Sequence, residues 1–312
     1  MSLEYRVLPS VRRSKLRNLL DKERLVRVME AHNGLSAIVA SKACGIGVEN
    51  VMSEFNGLWV SSLTSSASKG LPDTELNNLE RRIETIQEIL SSTNKPVIVD
   101  GDTGGEALNF EYLCSKLESL GVSAIVIEDK QYPKRNSLSL EAEHILADID
   151  VFARKIKRGR DVLLSNDFMI FARLESLIAK KGVDDAIFRA RKYLQAGADG
   201  LMIHSKAKTV EEVRLFLDKY EDLCKELGSR KPVICVPTTY NTTSDEELFS
   251  YGANIVVHAN QLLRASHLAM QNVCEVILNS NRSLEVEELC IPLTKLFETV
   301  GFNDAIRRDI ID

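Results

Sequence analysis

Short apolar stretches separated by longer amphipathic ones run through most of the 312-residue sequence. Eight of the short stretches have the composition of β-strands, at residues 35–40, 57–63, 96–100, 124–128, 168–174, 200–204, 232–237 and 254–258. They are apolar throughout instead of alternating with polar residues, as in strands that are covered on both faces. The stretches between them have the apolar spacing of amphipathic helices, at residues 76–90, 110–120, 184–196, 209–227 and 244–251. This pattern predicts a parallel sheet whose strands are connected by helices.

Eight strands with a helix after nearly every strand is the count of a (β/α)8 barrel, and an open doubly wound sheet is the alternative. No G-x-G-x-x-G follows the first apolar stretch, which removes the commonest cofactor site of the open sheet. We therefore predict one barrel domain over residues 1–312, with a helical lead-in at 1–33 and C-terminal helices at 261–312. The last part, residues 285–312, carries no chemical motif and is a candidate assembly element.

Charge and cysteine content exclude several classes of protein. The formal net charge is -5, whereas general nucleic-acid binders usually have a basic excess. No apolar run approaches the ~20 residues of a membrane span, and the first 20 residues lack the apolar core of a secretory signal. We expect a cytoplasmic protein without a nucleic-acid or membrane partner. The six cysteines form no C-x-x-C pair and the five histidines no H-x-x-x-H pattern, so no zinc site is predicted.

Carboxylates follow two neighbouring strands of the predicted barrel. Asp100 and Asp102 end one strand and Glu128 ends the next, and the active site of such barrels lies at these carboxyl-terminal ends. Clustered acids repel one another unless a cation lies among them. Mg²⁺ fits this need because it binds through few protein oxygens and several waters. The structural alternative is that Asp100 and Asp102 cap the following helix.

Three cationic or ionisable side chains at the same end could bind an anion: Arg173, His204 and Lys134. Arginine presents a planar fork that suits phosphate or carboxylate. The alternatives are an internal ion pair of Arg173 with Glu175 or Glu128, and a buried structural role for His204. The polar stretch 130–139 is a candidate lid, since loops that exclude water from barrel sites occupy such positions; the alternative is an ordinary surface loop.

Seven motifs, in order and suitably spaced, resemble the phosphoenolpyruvate mutase family of the isocitrate lyase and phosphoenolpyruvate mutase superfamily. They are GLWVSSL, VDGDTGG, IEDKQYPKRNS, FARLES, GADGLMIHSK, CVPTTYN and HANQLLRAS, within a match from about Arg24 to about Leu284. The most specific of them is E-D-K-x-x-x-K-x-N-S, from Glu128 to Ser137.

The resemblance implies a modified (β/α)8 barrel whose last helix packs on a neighbouring subunit, in a homodimer or homotetramer. It implies an isomerase that uses Mg²⁺ and interconverts the small molecules phosphoenolpyruvate and phosphonopyruvate, the first step of phosphonate biosynthesis. Because the equilibrium favours phosphoenolpyruvate, it also implies a downstream enzyme that consumes phosphonopyruvate.

The resemblance assigns roles to residues at matching positions. Asp100 would bind the metal directly, and Asp102 and Glu128 would bind it through waters. Catalytic roles would fall to Asp73, Lys134, Asn136, Arg173 and His204. Substrate contacts would come from the Trp59 ring, from a hydroxyl on the lid and from the backbone N–H groups after Trp59, that is from Trp59, Ser61, Ser62, Leu63 and Ser137.

One motif departs from many superfamily members, and three other functions remain open. In the segment Gly104-Gly105-Glu106, Gly105 and Glu106 stand where many superfamily members have an aromatic-glycine pair after D-x-D-x-G, which leaves the loop contacts open. Phosphonopyruvate hydrolases tend to carry Thr-Ser where this chain has Asn136-Ser137. Isocitrate and methylisocitrate lyases carry a catalytic cysteine where Asn136 stands. The last alternative is a catalytically silent barrel that only binds a metabolite or partner.

Overall fold

The computed structural model describes residues 3–22, 24–46, 52–139 and 141–309. The strands are β1 (Val26–Glu30), β2 (Cys44–Ile46), β3 (Met52–Glu54), β4 (Gly57–Val60), β5 (Val97–Asp100), β6 (Ala124–Glu128), β7 (Met169–Leu174), β8 (Gly200–Ile203), β9 (Val233–Cys235) and β10 (Ile255–His258). β1 and β4 to β10 pair in parallel and form a closed barrel in the order β1-β10-β9-β8-β7-β6-β5-β4, while β2 and β3 form a separate two-stranded antiparallel sheet. The predicted (β/α)8 barrel is confirmed.

Helices follow the barrel strands and surround them. The α-helices are α1 (Pro9–Leu20), α2 (Gly34–Lys42), α3 (Ser62–Ala67), α4 (Leu79–Leu90), α5 (Ala107–Leu120), α6 (Ile149–Asp161), α7 (Gly182–Gln195), α8 (Glu211–Leu227), α9 (Asp245–Ser250), α10 (Gln261–Ser280), α11 (Leu293–Thr299) and α12 (Phe302–Asp309). Two short 3₁₀ helices cover Leu3–Tyr5 and Leu284–Leu289. None of the helices within the described ranges combines the length and apolar composition that a membrane span requires.

The first predicted strand was wrong. Residues 35–40 belong to α2, and β1 is formed instead by Val26–Glu30, inside the predicted helical lead-in. The reason lies at Asn33, whose side chain accepts a hydrogen bond from the N–H of Ser36 while the Ser36 hydroxyl accepts one from the N–H of Asn33. This reciprocal capping box starts a helix at a position where the apolar composition alone suggested a strand.

Two apolar layers hold the barrel together. One lies between strands and helices and includes Phe110, Phe152 and Phe216; the other fills the barrel interior and includes Trp59 and Phe171. Strands β4 to β10 contribute buried apolar residues to both layers and therefore read as continuous apolar runs, whereas β1 carries Arg27 and Glu30.

Helix α1 closes the amino-terminal end of the barrel. Leu16 is fully buried among the interior side chains. The Arg12 guanidinium donates to the carbonyl oxygens of Leu90 and Thr93 at 2.7 and 3.0 Å, ahead of β5. The Ser123 hydroxyl, ahead of β6, donates to the Arg12 carbonyl at 3.0 Å. With this end sealed, the opposite, carboxyl-terminal end is where a ligand can enter.

Helix α10 begins at the barrel and has no buried residue within this chain. The main-chain N–H groups of Leu262 and Leu263 donate to Glu30 Oε2, which fixes the start of the helix to the end of β1. Farther along, Leu268 and Leu278 expose 60% and 76% of their surface. Helix α10 therefore leaves large apolar side chains uncovered by the described part of the chain.

Candidate active site

A cavity of about 60 Å³ opens at the carboxyl-terminal end of the barrel. All the predicted site residues line it except Asp102 and Glu128, which lie directly behind it in contact with Lys134 and Arg173. The wall is completed by Leu138, Met202, Val236, Thr238, Ala259 and Asn260. Residues far apart in sequence therefore meet at the end where barrel enzymes carry their active sites.

Asp100 ends β5 and is held on both carboxylate oxygens. Oδ2 accepts hydrogen bonds from the Ser62 hydroxyl at 2.8 Å and the Ser62 N–H at 3.2 Å, and Oδ1 accepts one from the Asp102 N–H at 3.2 Å. Burial would raise the pKa of Asp100, but the positive charges of Lys134 and Arg173 outweigh it and lower the pKa to about 2. The carboxylate is thus ionised at any physiological pH. The Ser62 N–H, expected to face the substrate, is directed at Asp100 here.

Glu128 ends β6 and is short of partners. Among the described residues, neither of its carboxylate oxygens accepts a hydrogen bond. Its nearest positive groups are Arg173 Nη2 at 3.2 Å and Lys130 Nζ at 3.7 Å. Burial raises the pKa of Glu128 to about 7, against the lowering effect of Arg173 and Lys130. Buried carboxylate oxygens without donors are the setting that an added cation would relieve.

The carboxylate set fits a magnesium ion held largely through water. Within the described ranges, no three His, Cys, Asp or Glu side chains lie close enough to ligate one ion together. One direct carboxylate ligand with other carboxylates binding its waters is the usual protein site for Mg²⁺. The alternative role for Asp100 and Asp102 as helix caps is wrong, because the residue that precedes α5 is Glu106 and no side-chain cap bond forms there.

Lys134 places its ammonium group among the acids. Its Nζ lies 2.6 Å from Asp102 Oδ1, 3.2 Å from Asp73 Oδ1 and 2.7 Å from the Ser62 hydroxyl. Burial alone would lower the pKa of Lys134, but the surrounding carboxylates, Asp102 first, raise it above its ordinary value. The group is a permanent positive charge on the inner side of the lid.

Arg173 and His204 form the opposite, cationic wall. Arg173 Nη2 lies 2.8 Å from His204 Nδ1 and donates to the Ser137 hydroxyl at 2.9 Å. Arg173 Nε donates to Glu175 Oε1 at 2.6 Å, and His204 Nδ1 lies 2.8 Å from the same oxygen. The internal ion pairs considered for Arg173 are therefore real, yet both side chains still line the cavity. Burial and the nearby Arg173 lower the pKa of His204 to about 4, so the ring is neutral at pH 7.

The stretch 130–139 folds over the cavity. Lys134 and Ser137 are buried, while Arg135 points outward. The Asn136 side-chain amide donates to Asp73 Oδ2 at 2.7 Å, and the Ser137 hydroxyl donates to Glu175 Oε2 at 2.7 Å. An ordinary surface loop would not bury its polar side chains in this way, so the geometry favours the lid.

The loop after Asp102 shows what its two glycines do. Gly104 and Gly105 have φ of 75° and 63°, the left-handed region that side-chain-bearing residues rarely adopt. The Lys155 ammonium group donates to the Thr103 carbonyl at 2.8 Å and supports the loop from α6. The glycine pair therefore shapes the turn that leads from the carboxylates into α5.

The family assignment follows from the whole chain. The sequence profile described as phosphoenolpyruvate phosphomutase matches residues 16–278. The chain belongs to the phosphoenolpyruvate phosphomutase family. A phosphoenolpyruvate phosphomutase of Tetrahymena pyriformis is 34% identical over 95% of this chain and 93% of that protein. The resemblance stated from the motifs is confirmed.

Two solved structures carry the same fold at similar identity. A phosphoenolpyruvate phosphomutase from Streptomyces platensis subsp. rosaceus has a TM-score of 0.87 and 35% identity, covering 95% of this chain and 97% of that one. A phosphonopyruvate hydrolase in complex with oxalate and Mg²⁺ has a TM-score of 0.84 and 31% identity, covering 96% and 97%. The chain is thus similar in sequence and fold to both a mutase and a hydrolase.

Several charged residues at the site, buried except for the half-buried Glu75, were not identified as functional from the sequence. Arg82 is fully buried in α4 and donates to Asp102 Oδ2 at 2.5 Å, and Glu75 accepts hydrogen bonds from two loops. Lys130 and Glu175 pair at 2.9 Å beneath the lid. Lys130 and Glu175 lie in motifs that mark the family, but Arg82 reads only as a charged residue of an amphipathic helix. Its burial becomes evident only when α4 packs beside the carboxylate loop.

Proposed function

We propose that this protein catalyses the Mg²⁺-dependent interconversion of phosphoenolpyruvate and phosphonopyruvate. The observation that carries the proposal is that acidic and cationic side chains come together around one cavity beneath the lid. The carboxylates Asp100, Asp102 and Glu128 suit a divalent cation, and Arg173 and Lys134 suit an anionic phosphoryl group. Similarity to phosphomutases over nearly the full chain supports this assignment.

The metal would be held by Asp100, with Asp102 and Glu128 binding its waters. When bound, Mg²⁺ supplies Lewis-acid stabilisation for negative charge on the pyruvyl oxygens of the substrate. The related hydrolase whose structure contains oxalate and Mg²⁺ is consistent with this choice of metal. The carboxylate oxygens of Glu128, which accept no hydrogen bond within the described ranges, are the feature of this chain that best fits the ion.

The chain's own residues would bind and position the phosphoryl group. Arg173 presents a planar fork that Glu175 holds at 2.6 Å, and Asn136 and Ser137 bring an amide and a hydroxyl from the lid. During isomerisation the P–O bond breaks and a P–C bond forms to the methylene carbon of the same bound molecule. Such a loose transfer depends on positioning and charge stabilisation more than on covalent help.

The lid would keep water from the transferring group. Water that reached the phosphorus atom would give pyruvate and phosphate, which is the reaction of a hydrolase. The bonds of Asn136 to Asp73 and of Ser137 to Glu175 would hold the lid over the cavity. A closed, dry site favours isomerisation over hydrolysis.

Phosphorus NMR of the protein with Mg²⁺ and phosphonopyruvate tests the proposal. We expect phosphoenolpyruvate to accumulate. Inorganic phosphate and pyruvate as the main products would instead establish phosphonopyruvate hydrolase, the alternative that the oxalate-bound relative supports. No turnover of either kind would favour a barrel that only binds a metabolite.

We propose further that α10 and the segment after it form a subunit interface in a homodimer or homotetramer. The exposed apolar side chains Leu268, Met270 and Leu278 support this, since isolated soluble proteins seldom expose this much apolar surface on one helix. Light scattering after gel filtration should give a dimer or tetramer, and Leu268→Glu should reduce it to smaller species. A wild-type monomer at micromolar concentration would exclude the interface.

In the cell, the unfavourable equilibrium would be drawn forward by an enzyme that consumes phosphonopyruvate for phosphonate biosynthesis.

A further inference from the structure

Glu75 joins two loops of the site through one carboxylate. Oε1 accepts hydrogen bonds from the Thr103 hydroxyl at 2.8 Å and the Thr103 N–H at 3.2 Å. Oε2 accepts one from the Lys134 N–H at 2.8 Å. Thr103 directly follows the carboxylate Asp102, and Lys134 belongs to the lid. A single side chain, on the segment that connects α3 to α4, therefore bridges the lid and the carboxylate loop.

The backbone at Glu75 is held in an unfavourable conformation. Its φ is 59°, in the left-handed region where a residue with a side chain is disfavoured. Such residues persist where the surrounding contacts require them, and they cluster at functional sites. Here the conformation accompanies a carboxylate that reaches both loops, and two residues earlier Asp73 bonds the lid through Asn136.

Lys134 is consequently held at both ends. Its main-chain N–H is bound by Glu75, while its ammonium group lies 2.6 Å from Asp102 on the loop that Glu75 also binds. We infer that Glu75 is a positioning residue that fastens the closed lid to the carboxylate loop and thereby fixes the Lys134 ammonium group in the cavity. The effect on the reaction rests on the proposed function, whereas the fastening itself does not.

The contact requires a carboxylate. Two backbone N–H groups approach its two separate oxygens, and an amide in its place could accept from only one of them. The other N–H would then face an NH₂ group. Glu75→Gln keeps the size of the side chain but removes one of the two acceptor oxygens. It therefore tests the hydrogen bonds between the two loops without changing the packing of the side chain. Glu80→Gln, at an exposed position at the start of α4, is the matched control.

Amide hydrogen exchange of the full-length protein, read by NMR at the Lys134 and Thr103 N–H groups, tests the inference without substrate. In Glu75→Gln we expect one or both amides to exchange about ten- to a hundredfold faster, the range expected for losing a hydrogen bond to a charged acceptor. Wild type and Glu80→Gln should behave alike. Thr103→Val, which removes only the hydroxyl donor, should accelerate exchange at Lys134 less. Unchanged exchange at both amides in Glu75→Gln overturns the inference, and equal melting temperatures show that folding is intact.

Phosphorus NMR with Mg²⁺ and phosphonopyruvate tests the consequence for the reaction. We expect Glu75→Gln to turn over more slowly and to release a larger share of inorganic phosphate than wild type. In that side reaction a water oxygen bonds to phosphorus as the P–C bond breaks. The electron pair stays on the methylene carbon, which takes a proton from water to give pyruvate. Faster amide exchange with unchanged rate and product ratio would overturn the positioning role. A wild type that makes no phosphoenolpyruvate would refute the proposed function, while amide exchange would still decide the fastening.

Discussion

Replacing His204 should remove a large part of the acid sensitivity of the fold. In the native state burial and Arg173 lower the pKa of His204 to about 4, from 6.5 for an ordinary histidine. The unfolded chain therefore binds a proton at His204 between these two values and the native state does not. Since one pKa unit corresponds to about 1.4 kcal/mol, the native state loses about 3 kcal/mol of stability as the pH falls from 6.5 to 4. Above pH 6.5 His204 is neutral in both the native and the unfolded state, and this loss of stability is absent.

Urea denaturation of wild type and His204→Gln at pH 7.5, 6.0 and 4.5 measures this contribution. The free energy of unfolding of wild type should fall more steeply than that of the variant, with most of the ~3 kcal/mol difference reached by pH 4.5. His144→Gln is the comparison, because His144 is only half-buried and its substitution should change the slope less. A difference between wild type and His204→Gln that stays constant from pH 7.5 to 4.5 would show that His204 is not held neutral by its surroundings.

Three further predictions concern the metal, the lid and the barrel. Asp100→Ala should abolish Mg²⁺-dependent turnover and weaken Mg²⁺ binding in calorimetry; near-normal binding would exclude Asp100 as the ligand. Asn136→Ala should slow phosphoryl transfer while changing the melting temperature little, since Asn136 is only half-buried; an equal loss of stability would mark it as structural. Gly200→Ala should destabilise the protein by about 1–3 kcal/mol in urea denaturation, because the added methyl group would meet the Phe171 ring and the Pro232 carbonyl. Unchanged stability would mean that β8 can shift to make room.

The barrel strands could be predicted wherever both faces of a strand are apolar. β6 has the predicted bounds, and β4, β5 and β7 to β10 lie within the predicted stretches. β1 escaped because it contains Arg27 and Glu30, whose charges conflict with a buried strand. The long-range partners of these charges form only in the folded chain: Arg27 pairs with Asp245 at 3.1 Å on α9, and Glu30, besides its contact with His32 Nδ1 at 2.5 Å, accepts hydrogen bonds from the start of α10. The partners on α9 and α10 lie more than 200 residues away and leave no local signal.

The site could be predicted in its composition but not in its connections. The motifs supplied the residues around the cavity, because chemistry fixes residue type and spacing at the strand ends. They could not show that the Ser62 N–H donates a hydrogen bond to Asp100, or that Glu75 accepts hydrogen bonds from both Thr103 and Lys134. Such contacts depend on the path of loops between strands, and that path is set by packing and by unusual backbone angles.

The distribution of charge around the cavity indicates that binding, more than stability, accounts for it. Asp100 and Glu128 come from neighbouring strands, yet their pKa values are displaced in opposite directions, to about 2 and about 7. Asp100 has three hydrogen-bond donors, whereas the carboxylate of Glu128, also buried, accepts no hydrogen bond from the residues that the structure describes. A core selected for stability alone would pair Glu128 fully or replace it with an apolar residue. Glu128, with few partners, lies beside Asp100, which is firmly held. This is the arrangement expected of a site in which a bound cation and its waters would supply the missing partners of Glu128.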